Sequence, residues 1–569
     1  MKKQIKLALL FMCSIQSIFA QDGSLKVGPN LNGARDIIDF KLHDNELSVM
    51  TSKGRDLNYW KLSPTSLIPN SEAKSITATK SKSGGMVVNS DEYNYFSKIS
   101  LDTKEVVFYT RREGKDKTTS LYFQDLDNSY KPISKSTKLA TRSTKTVKTG
   151  IFNLSSVDGG GYTIKTNRLK NKVLIINQAP SKKVEKSLYP GDVTLTLYNP
   201  SDMTELSSAT FDLGISEYGS SAIVGDNGYV YSLVYVNAAE TKAERKEKKK
   251  NGEATWYYKI VGINVNEPDT KPFEYDLIFK NKGILKASLE MTPDGELICA
   301  GTYSELTKKG NVDDFDGIFY AKLNPKTGEV LSDNQKKLDR STVEFMTTKR
   351  NAKKDEGIST AFKLRGYVAM DNGTSNLILE EDYFYVTTTT NSKGQTTYTY
   401  HYVSKAILIA NIATNGEINW IKHIPKYQHT TNDNGAFNSF SYFRDKNELR
   451  FIFADNNNNY DPKTFKIKPE NAKNINSMRV SGAAKSIAFA KIDANGNTDQ
   501  KLLASTKTHV LYTKYASWSK SGKEVYLQAW KRISTGKWLL GCLFPPYGCY
   551  LYIKNIKPNY AVAKLEIED

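Results

Sequence analysis

The sequence predicts an all-β fold, a β-propeller of about eight four-stranded blades, with seven blades as the alternative. Two observations lead to this prediction. Between Met291 and Leu331 lie two apolar runs, LICA and GIFYA, each bounded by Gly, Pro, Asn or Asp and each too short for a helix. Tight turns at PDG and PKTG join these runs to their neighbours, which is typical of successive antiparallel hairpins.

The apolar run with its following turn recurs along the chain, at a spacing of roughly 55 to 90 residues. We interpret each copy as the third strand of a blade. The clearer copies are residues 317–331, 405–421, 485–503 and 560–569, and the weaker ones are 58–69, 120–134, 193–206 and 257–265. Radial repetition of this kind protects the edges of many short strands.

A candidate second strand precedes each copy. These strands are Glu46–Thr51, Glu105–Thr110, Val173–Gln178, Tyr229–Val236, Glu296–Thr302, Tyr383–Thr390, Glu448–Phe453 and Glu524–Trp530. The last unit ends without residues for a fourth strand. A strand from the N-terminal region, near Ser24 to Gly28, is therefore expected to complete that blade and close the ring.

Loop lengths indicate that the two faces of the propeller differ. Turns between first and second strands are short, whereas connections between second and third strands are long, and in a four-stranded blade these long loops share one face. The connection between units at residues 332–363 belongs to the same face. The long segments are 237–254, 303–315, 391–404, 454–484 and 531–559, and those at 237–254, 332–363, 454–484 and 531–559 are predicted insertions.

Residues 1–20 are predicted to be a secretory signal peptide, because Lys2, Lys3 and Lys6 precede an apolar stretch that ends at Ala20. Cys13 raises the alternative of a lipoprotein, but bulky residues precede it where lipid attachment favours small ones. Residues 21–569 are then a single propeller domain. No later apolar run has membrane-spanning length, so we expect no transmembrane segment.

The net charge is +19 for the full chain and falls to about +16 when the three lysines of residues 1–20 are removed. An exported protein meets little nucleic acid, so the charge argues for acidic or anionic partners, or for a solvated basic surface, and not for nucleic acid. After the signal peptide three cysteines remain. Cys299 lies in an apolar strand and is expected to be a buried thiol, whereas Cys542 and Cys549 flank a turn and are expected to form a disulfide.

Two segments are candidate contact surfaces. The loop around Lys537 to Tyr552 gathers large apolar side chains, which mark a contact surface if they are exposed; alternatively the loop plugs the channel or extends the last blade. The segment Thr241 to Glu253 is strongly basic and is either an electrostatic guide or a solvated hairpin tip or short helix. The proposed contact residues are Trp538, Leu539, Leu540, Leu543, Phe544, Tyr547, Arg245, Lys248, Lys249 and Lys250.

Candidates for chemistry are few. The five histidines belong to no nucleophile or metal motif, and the oxygen-rich segments at 311–317, 432–435 and 455–461 lack the spacing of a calcium loop. Asp313, Asp314 and Asp316 form a compact acidic cluster, which a solvated loop also explains. No catalytic residue, cofactor or metal is expected from the sequence. Two carboxylates across a cleft, as in glycoside hydrolysis, can be neither seen nor excluded at this level.

The phrases DGIFYAKLNPKTGEVL, AILIANIATNGEINWIKHI and AFAKIDANGN resemble the repeats of exported bacterial β-propellers, and the composition resembles that of Bacteroidota proteins. The resemblance concerns architecture and not activity. It favours a periplasmic protein associated with the outer membrane through partners. We expect a non-enzymatic scaffold subunit of an envelope assembly; the alternative is a glycan-binding protein or hydrolase with its site at the channel mouth.

Overall fold

Eight antiparallel sheets follow one another along the chain in the computed structural model. It describes residues 25–567 apart from 32–33, 35, 44, 54–55, 77–92, 114–117, 144–146, 150–154, 158–160, 181, 185–186, 190–191, 212–216, 240, 268, 308–309, 347–356, 469–473, 479–485, 507–508 and 532–559. Each sheet pairs its strands in the order first, second, third, fourth, as in a propeller blade. The propeller predicted from the sequence is confirmed, with eight blades.

The strands of blades 1 to 4 are, for blade 1, Asp36–His43, Glu46–Lys53, Asp56–Leu62 and Lys74–Ser75; for blade 2, Tyr93–Ser100, Glu105–Glu113, Thr118–Leu126 and Thr137–Ser143; for blade 3, Gly161–Thr166, Val173–Gln178, Val193–Tyr198 and Glu205–Phe211; and for blade 4, Glu217–Val224, Tyr229–Asn237, Trp256–Asn264 and Phe273–Leu277. Two small hairpins pair Val147–Thr149 with Ser155–Val157 and Lys182–Val184 with Ser187–Tyr189.

The strands of blades 5 to 8 are, for blade 5, Lys282–Met291, Leu297–Glu305, Gly317–Leu323 and Val330–Lys337; for blade 6, Phe362–Ala369, Ser375–Thr390, Thr396–Ile412 and Ile418–Ile424; for blade 7, Phe440–Asp445, Glu448–Asp455, Ser486–Ile492 and Thr498–Ser505; and for blade 8, His509–Trp518, Glu524–Lys531, Tyr560–Glu566 and Lys26–Asn30. A fifth strand of blade 6, Gln428–Thr431, pairs with its third.

The N-terminal strand closes the ring. Lys26–Asn30 pairs antiparallel with Tyr560–Glu566 as the outermost strand of blade 8, with Lys26 opposite Lys564 and Val27 opposite Ala563. This confirms the closure expected from the missing fourth strand of the last unit. Pairing the two chain ends within one blade leaves no open gap between the first and last blades.

The core lies between the blades and not within them. Eight clusters of buried apolar residues each fill the space between one blade and the next, including the space between blade 8 and blade 1. Each sheet is therefore buried on both faces, which explains why third strands such as Ser486–Ile492 are almost continuously buried. Cys299 lies in the cluster between blades 4 and 5, and burial raises its thiol pKa, as expected for a structural thiol.

Blade 6 corrects one prediction. The sequence places its second strand at Tyr383–Thr390 and a long loop at 391–404, but the strands run Ser375–Thr390 and Thr396–Ile412, joined by a tight turn. The expected loop is a long hairpin, because Thr and Tyr favour extended backbone even where the strand has no core to cover. The hairpin extends beyond the loop-rich face.

In the described part of the chain, two helices lie in loops of that face. Helix α1, Lys242–Lys250, occupies the connection between the second and third strands of blade 4, and Thr241 caps it by accepting from the Glu244 backbone N–H. Helix α2, Arg340–Met346, follows the last strand of blade 5. A 3₁₀ turn at Asn457–Asn459 follows the second strand of blade 7. Among the described residues, no helix has the length and apolar character needed to cross a membrane.

Candidate functional site

A pocket of about 480 Å³ opens on the loop-rich face where loops of blades 5, 6 and 7 meet. A cavity of this size is within the range of small-molecule sites. None of its lining residues belongs to a first strand, so it is separate from the strands that surround the central channel. The lining residues are Asp314, Phe345, Met346, Gly357, Ile358, Ser359, Glu381, Lys405, Ala406, Pro425, Lys426, Tyr427, Asn474 and Ile475. We call this the blade 6 pocket.

Two carboxylates line the pocket from opposite sides of the blade 5–blade 6 boundary. Glu381 comes from the second strand of blade 6, where it is buried and pairs in register with Phe362. Asp314 comes from the loop between the second and third strands of blade 5, and its backbone N–H donates to Ser304 Oγ at 3.4 Å. Two carboxylates in one cavity are the minimum set for acid–base hydrolysis of a glycosidic bond.

The acidic cluster seen in the sequence is split by the fold. Asp313 is exposed, Asp314 faces the pocket and Asp316 is buried. Burial raises the pKa of Asp316, although its carboxylate accepts the Glu305 backbone N–H at 2.7 Å. The three residues therefore have separate environments, and Asp314 is the one that lines the pocket.

Lys405 supplies a cation beside Glu381. Its ammonium nitrogen lies 3.4 Å from Glu381 Oε1 and within 6 Å of the ring centres of Tyr383 (5.4 Å) and Tyr427 (5.7 Å). Burial lowers the pKa of Lys405, but the charge of Glu381 and the contact with Tyr383 outweigh burial, so its pKa is raised. The pocket therefore combines the Tyr427 ring, the Lys405 cation and two carboxylates.

A buried polar network forms the floor of the pocket. Lys426 donates to Glu380 Oε1 at 2.7 Å and to Gln428 Oε1 at 3.0 Å. Glu380 Oε2 also accepts from Ser439 Oγ at 2.7 Å and forms an ion pair with Arg365 at 2.6 Å. Each charge in this network has a partner, so the network fixes the segment that carries Tyr427.

Beside the pocket, the blade 6 hairpin exposes aromatic side chains on both faces. On one face Phe384 is 65% exposed and Tyr398 58% exposed, and Tyr400 lies between them along the ladder. On the other face Tyr385 stacks on His401 at 4.4 Å. A nitrogen of the His401 ring is 3.0 Å from one of the His429 ring, so the hairpin is tied to the added fifth strand of blade 6.

The central channel holds a different set of groups. First strands of neighbouring blades lie beside one another, so their exposed side chains face the channel. Glu290 of blade 5 is exposed there, but the surrounding protein partly desolvates its carboxyl and raises the pKa. The charge of Lys165 in blade 3 opposes this rise without cancelling it. The charge of Glu290 also raises the pKa of Tyr367 and Tyr442, in blades 6 and 7, although burial is the larger cause for both.

The basic residues singled out in the sequence lie on α1 and not at the pocket. Arg245 donates to the Ala239 carbonyl at 3.2 Å, Lys248 pairs with Glu253 at 3.0 Å and Lys249 donates to Asn311 Oδ1 at 2.8 Å. Lys250 is exposed. A short helix was one of the alternatives for this segment, and it is confirmed. Its contacts hold it against blade 5. The apolar candidates Trp538, Leu539, Leu540, Leu543, Phe544 and Tyr547, and the cysteines Cys542 and Cys549, lie outside the described residues.

The oxygen-rich segment at 455–461 folds around its own carboxylate. Asp455 accepts from Tyr460 OH at 2.6 Å, from the Asn456 backbone N–H at 2.7 Å and from Asn459 Nδ2 at 3.0 Å. These donors occupy the oxygens that a cation would need. In the described part of the chain, no group of three or more His, Cys, Asp or Glu side chains has the arrangement of a metal site.

Comparison with known proteins identifies no family for this chain. No family model and no curated protein matches the sequence. Among solved structures, a puromycin-hydrolyzing peptidase of Mycobacterium tuberculosis is similar over 90% of this chain and 61% of its own, at 7% identity and a TM-score of 0.35. A prolyl endopeptidase is similar over 88% of this chain and 55% of its own, at 9% identity and a TM-score of 0.38. An ulvan lyase of polysaccharide lyase family PL25 is similar over 86% of this chain and 95% of its own, at 10% identity and a TM-score of 0.32.

These neighbours correct the main functional expectation. The sequence favours a non-enzymatic scaffold, whereas these three matched structures are two peptidases and a polysaccharide lyase. The chain spans 55% to 61% of the length of the two peptidases. Similarity at this level assigns no activity to this chain, so any activity must be argued from the pocket itself.

Sequence reasoning missed most of the pocket. Glu381, Lys405 and Tyr427 lie in segments that the sequence analysis treats as strand or loop without a role. One signal was available: in YTYHYVSK the large side chains alternate, which indicates a strand with an aromatic face that no core pattern explains. Asp314 was noted as part of an acidic cluster, but the sequence alone did not separate it from Asp313 and Asp316.

Proposed function

We propose that this protein is a hydrolase that acts on a hydroxyl-rich glycan bound in the blade 6 pocket. The observation that carries the proposal is the presence of Glu381 and Asp314 in one cavity of about 480 Å³. Glycoside hydrolysis needs one carboxyl group to protonate the leaving oxygen and a second to act as base or nucleophile. Here the two come from different blades and line the same cavity.

The remaining lining fits the same class of ligand. Tyr427 and Phe345 offer aromatic surface for the apolar faces of sugar rings, and Lys405 offers a donor beside Glu381. The exposed rings of the blade 6 hairpin extend this aromatic surface outward from the pocket. A long glycan can therefore contact the protein beyond the residues nearest the carboxylates.

Glycan binding without hydrolysis is a second candidate function. It is favoured by the Lys405–Glu381 ion pair, whose nitrogen and oxygen are 3.4 Å apart and which keeps Glu381 engaged when no ligand is bound. A carboxylate held in this way can accept hydrogen bonds from sugar hydroxyls without taking part in catalysis. The two candidates share one site and differ in whether a bond is cleaved.

The test is a screen of purified protein against soluble polysaccharides and oligosaccharides, with release of reducing ends and binding measured in parallel. Glu381→Gln and Asp314→Asn should each lower hydrolysis by 100-fold or more, the usual effect of losing a general acid or base. Asp313→Asn is the matched control, because Asp313 is exposed and does not line the pocket. Equal activity in all three variants would overturn the proposal.

Binding that persists without product release would select the second candidate. In that case Glu381→Gln should weaken binding, whereas Asp313→Asn should leave it unchanged. If no substitution in the pocket lowers binding or hydrolysis, the function lies elsewhere on the propeller.

Export remains part of the proposal. A signal peptide at residues 1–20, a single mature domain from residue 21, a periplasmic location and a Cys542–Cys549 disulfide are all consistent with the sequence. Fractionation of cells that express the tagged protein, with the mature N-terminus and the thiol content determined by mass spectrometry, tests all four. A cytoplasmic, unprocessed chain with two free thiols would contradict them.

A further inference from the structure

A second pocket, of about 540 Å³, lies beneath helix α1 at the boundary of blades 4 and 5. Its walls come from the C-terminal end of the helix, from the start of the third strand of blade 4 and from the loop that enters blade 5. We call it the α1 pocket. It shares no lining residue with the blade 6 pocket.

The interior of the α1 pocket is mainly apolar. Trp256, Tyr257 and Phe279 contribute aromatic surface, and Ile278 is 60% exposed although it is a large aliphatic residue. Trp256 stacks on Tyr235 at 5.3 Å, which fixes the orientation of its ring. Contact between water and these apolar side chains is unfavourable. An apolar ligand that fills the cavity therefore lowers the free energy.

The rim of the same pocket is cationic. Lys248, Lys280 and Lys282 line it, against a single carboxylate, Glu253. Glu253 pairs with Lys248 at 3.0 Å, and Lys282 donates to Gln335 Oε1 at 2.7 Å. Within the described residues, no ion pair or hydrogen bond engages the exposed Lys280 ammonium. A positive charge therefore remains at the mouth of an apolar cavity.

We infer that the α1 pocket binds a single-chain amphiphilic anion, with an alkyl tail against Trp256 and Phe279 and a carboxylate head at Lys280. Charge complementarity selects the head group, and the apolar lining selects the tail. The basic helix α1 above the pocket adds positive potential, which raises the local concentration of anions. The strongly basic segment seen in the sequence then has a function that does not require a protein partner.

The experiment titrates the full-length protein with dodecanoate below its micelle concentration and follows tryptophan fluorescence and heat of binding. We expect saturable binding that changes the fluorescence, with no change in fluorescence when Trp256 is replaced by Phe. Dodecanol and acetate should each bind at least tenfold more weakly, because one lacks the charge and the other lacks the tail. Affinity should rise about fourfold per added methylene until the cavity is full.

Lys280→Ala should weaken dodecanoate binding about tenfold, and Ile278→Asp should abolish it. Both positions are exposed, so neither substitution threatens the fold. Lys326→Ala is the control, because Lys326 is exposed in the turn after the third strand of blade 5, on the opposite face. Equal binding of dodecanol and dodecanoate, or binding unaffected by Lys280→Ala and Ile278→Asp, would overturn the inference, as would the absence of saturable binding.

Discussion

The ammonium of Lys426 lies 2.7 Å from Glu380 Oε1, and neither side chain has exposed surface. Burial lowers the pKa of Lys426, and the charge of Glu380 opposes this effect. Lys426 lies between the fourth strand of blade 6 and its added fifth strand, and Glu380 lies in the second strand of the same blade. The pair therefore ties the segment that enters the fifth strand to the centre of blade 6, at the floor of the blade 6 pocket.

Lys426→Met should lower the free energy of unfolding by about 3–5 kcal/mol, because it leaves the Glu380 carboxylate buried with reduced compensation. Urea denaturation followed by circular dichroism measures the change. Arg340→Ala is the control, since the Arg340–Glu344 pair at 3.0 Å lies on the surface of α2 and should contribute about 1 kcal/mol or less. A loss below 1 kcal/mol for Lys426→Met would show that the network tolerates a missing cation.

Asp455 should make stability fall as pH rises. Burial raises the pKa of its carboxyl to about 7, against the hydrogen bonds from Tyr460 and Asn456 that lower it. The pKa of this carboxyl in the unfolded chain is about 3.9, so between about pH 4 and 7 only the folded state holds the proton. The free energy of unfolding therefore falls by up to about 4 kcal/mol as the pH rises across that range. Urea denaturation at several pH values should give a flatter profile for Asp455→Asn than for the wild type. Parallel profiles would contradict the prediction.

His423 should have the opposite effect. Burial, with a smaller contribution from the charge of Lys422, lowers the pKa of His423 to about 4, and its ring packs 3.5 Å from that of Phe345. The unfolded chain binds the proton more readily, so this contribution is present above about pH 6.5 and is lost as the pH falls toward 4, by up to about 3 kcal/mol. NMR of the ring nitrogens should show a neutral His423 at pH 5.5. A protonated ring at that pH would refute the assignment.

Gly28 should not tolerate a side chain. A Cβ at this position would lie 2.7 Å from Leu67 Cβ and 2.8 Å from the Leu67 carbonyl oxygen. Gly28→Ala should therefore displace the strand that closes the ring and lower the free energy of unfolding by about 1–3 kcal/mol. Gly161→Ala is the matched control, because a Cβ there meets nothing within 4 Å. Thermal and urea denaturation of both variants measure the difference, and equal stability would show that the closing strand can shift freely.

Tyr427 should affect ligand binding more than stability. Its ring faces the Lys405 ammonium at 5.7 Å and lines the blade 6 pocket, while its backbone is held by the Met478 N–H, which donates to its carbonyl at 2.8 Å. Tyr427→Ala should weaken glycan binding about tenfold and leave the midpoint of urea denaturation nearly unchanged. Tyr398→Ala, at an exposed ring farther along the hairpin, should have a smaller effect on short oligosaccharides than on long ones. If Tyr427→Ala binds glycan with unchanged affinity, the Tyr427 ring is not part of the binding site.

The blade 6 hairpin shows where local sequence reasoning reaches its limit. Most second strands were predicted close to their observed bounds, and Val173–Gln178 agrees at both ends. The predicted second strand of blade 6 starts eight residues late, because the strand begins at Ser375 but its apolar run, residues 377–379, is interrupted by Glu380 and Glu381. The strand continues through these acids because Lys426, Arg365 and Lys405 compensate their charges. None of these cations is adjacent in sequence, so the pattern alone did not predict them.

The sequence by itself determined the architecture of this protein. Short apolar runs, tight turns and a missing last strand are local features, and they specified the blades and the closure of the ring. The tertiary structure decided the site. Asp314, Phe345, Glu381, Lys405 and Tyr427 come from separate loops and strands across more than 100 residues, and they meet because neighbouring blades pack against a shared apolar layer. Strand formation depends on neighbouring residues, whereas a pocket depends on which blades become neighbours.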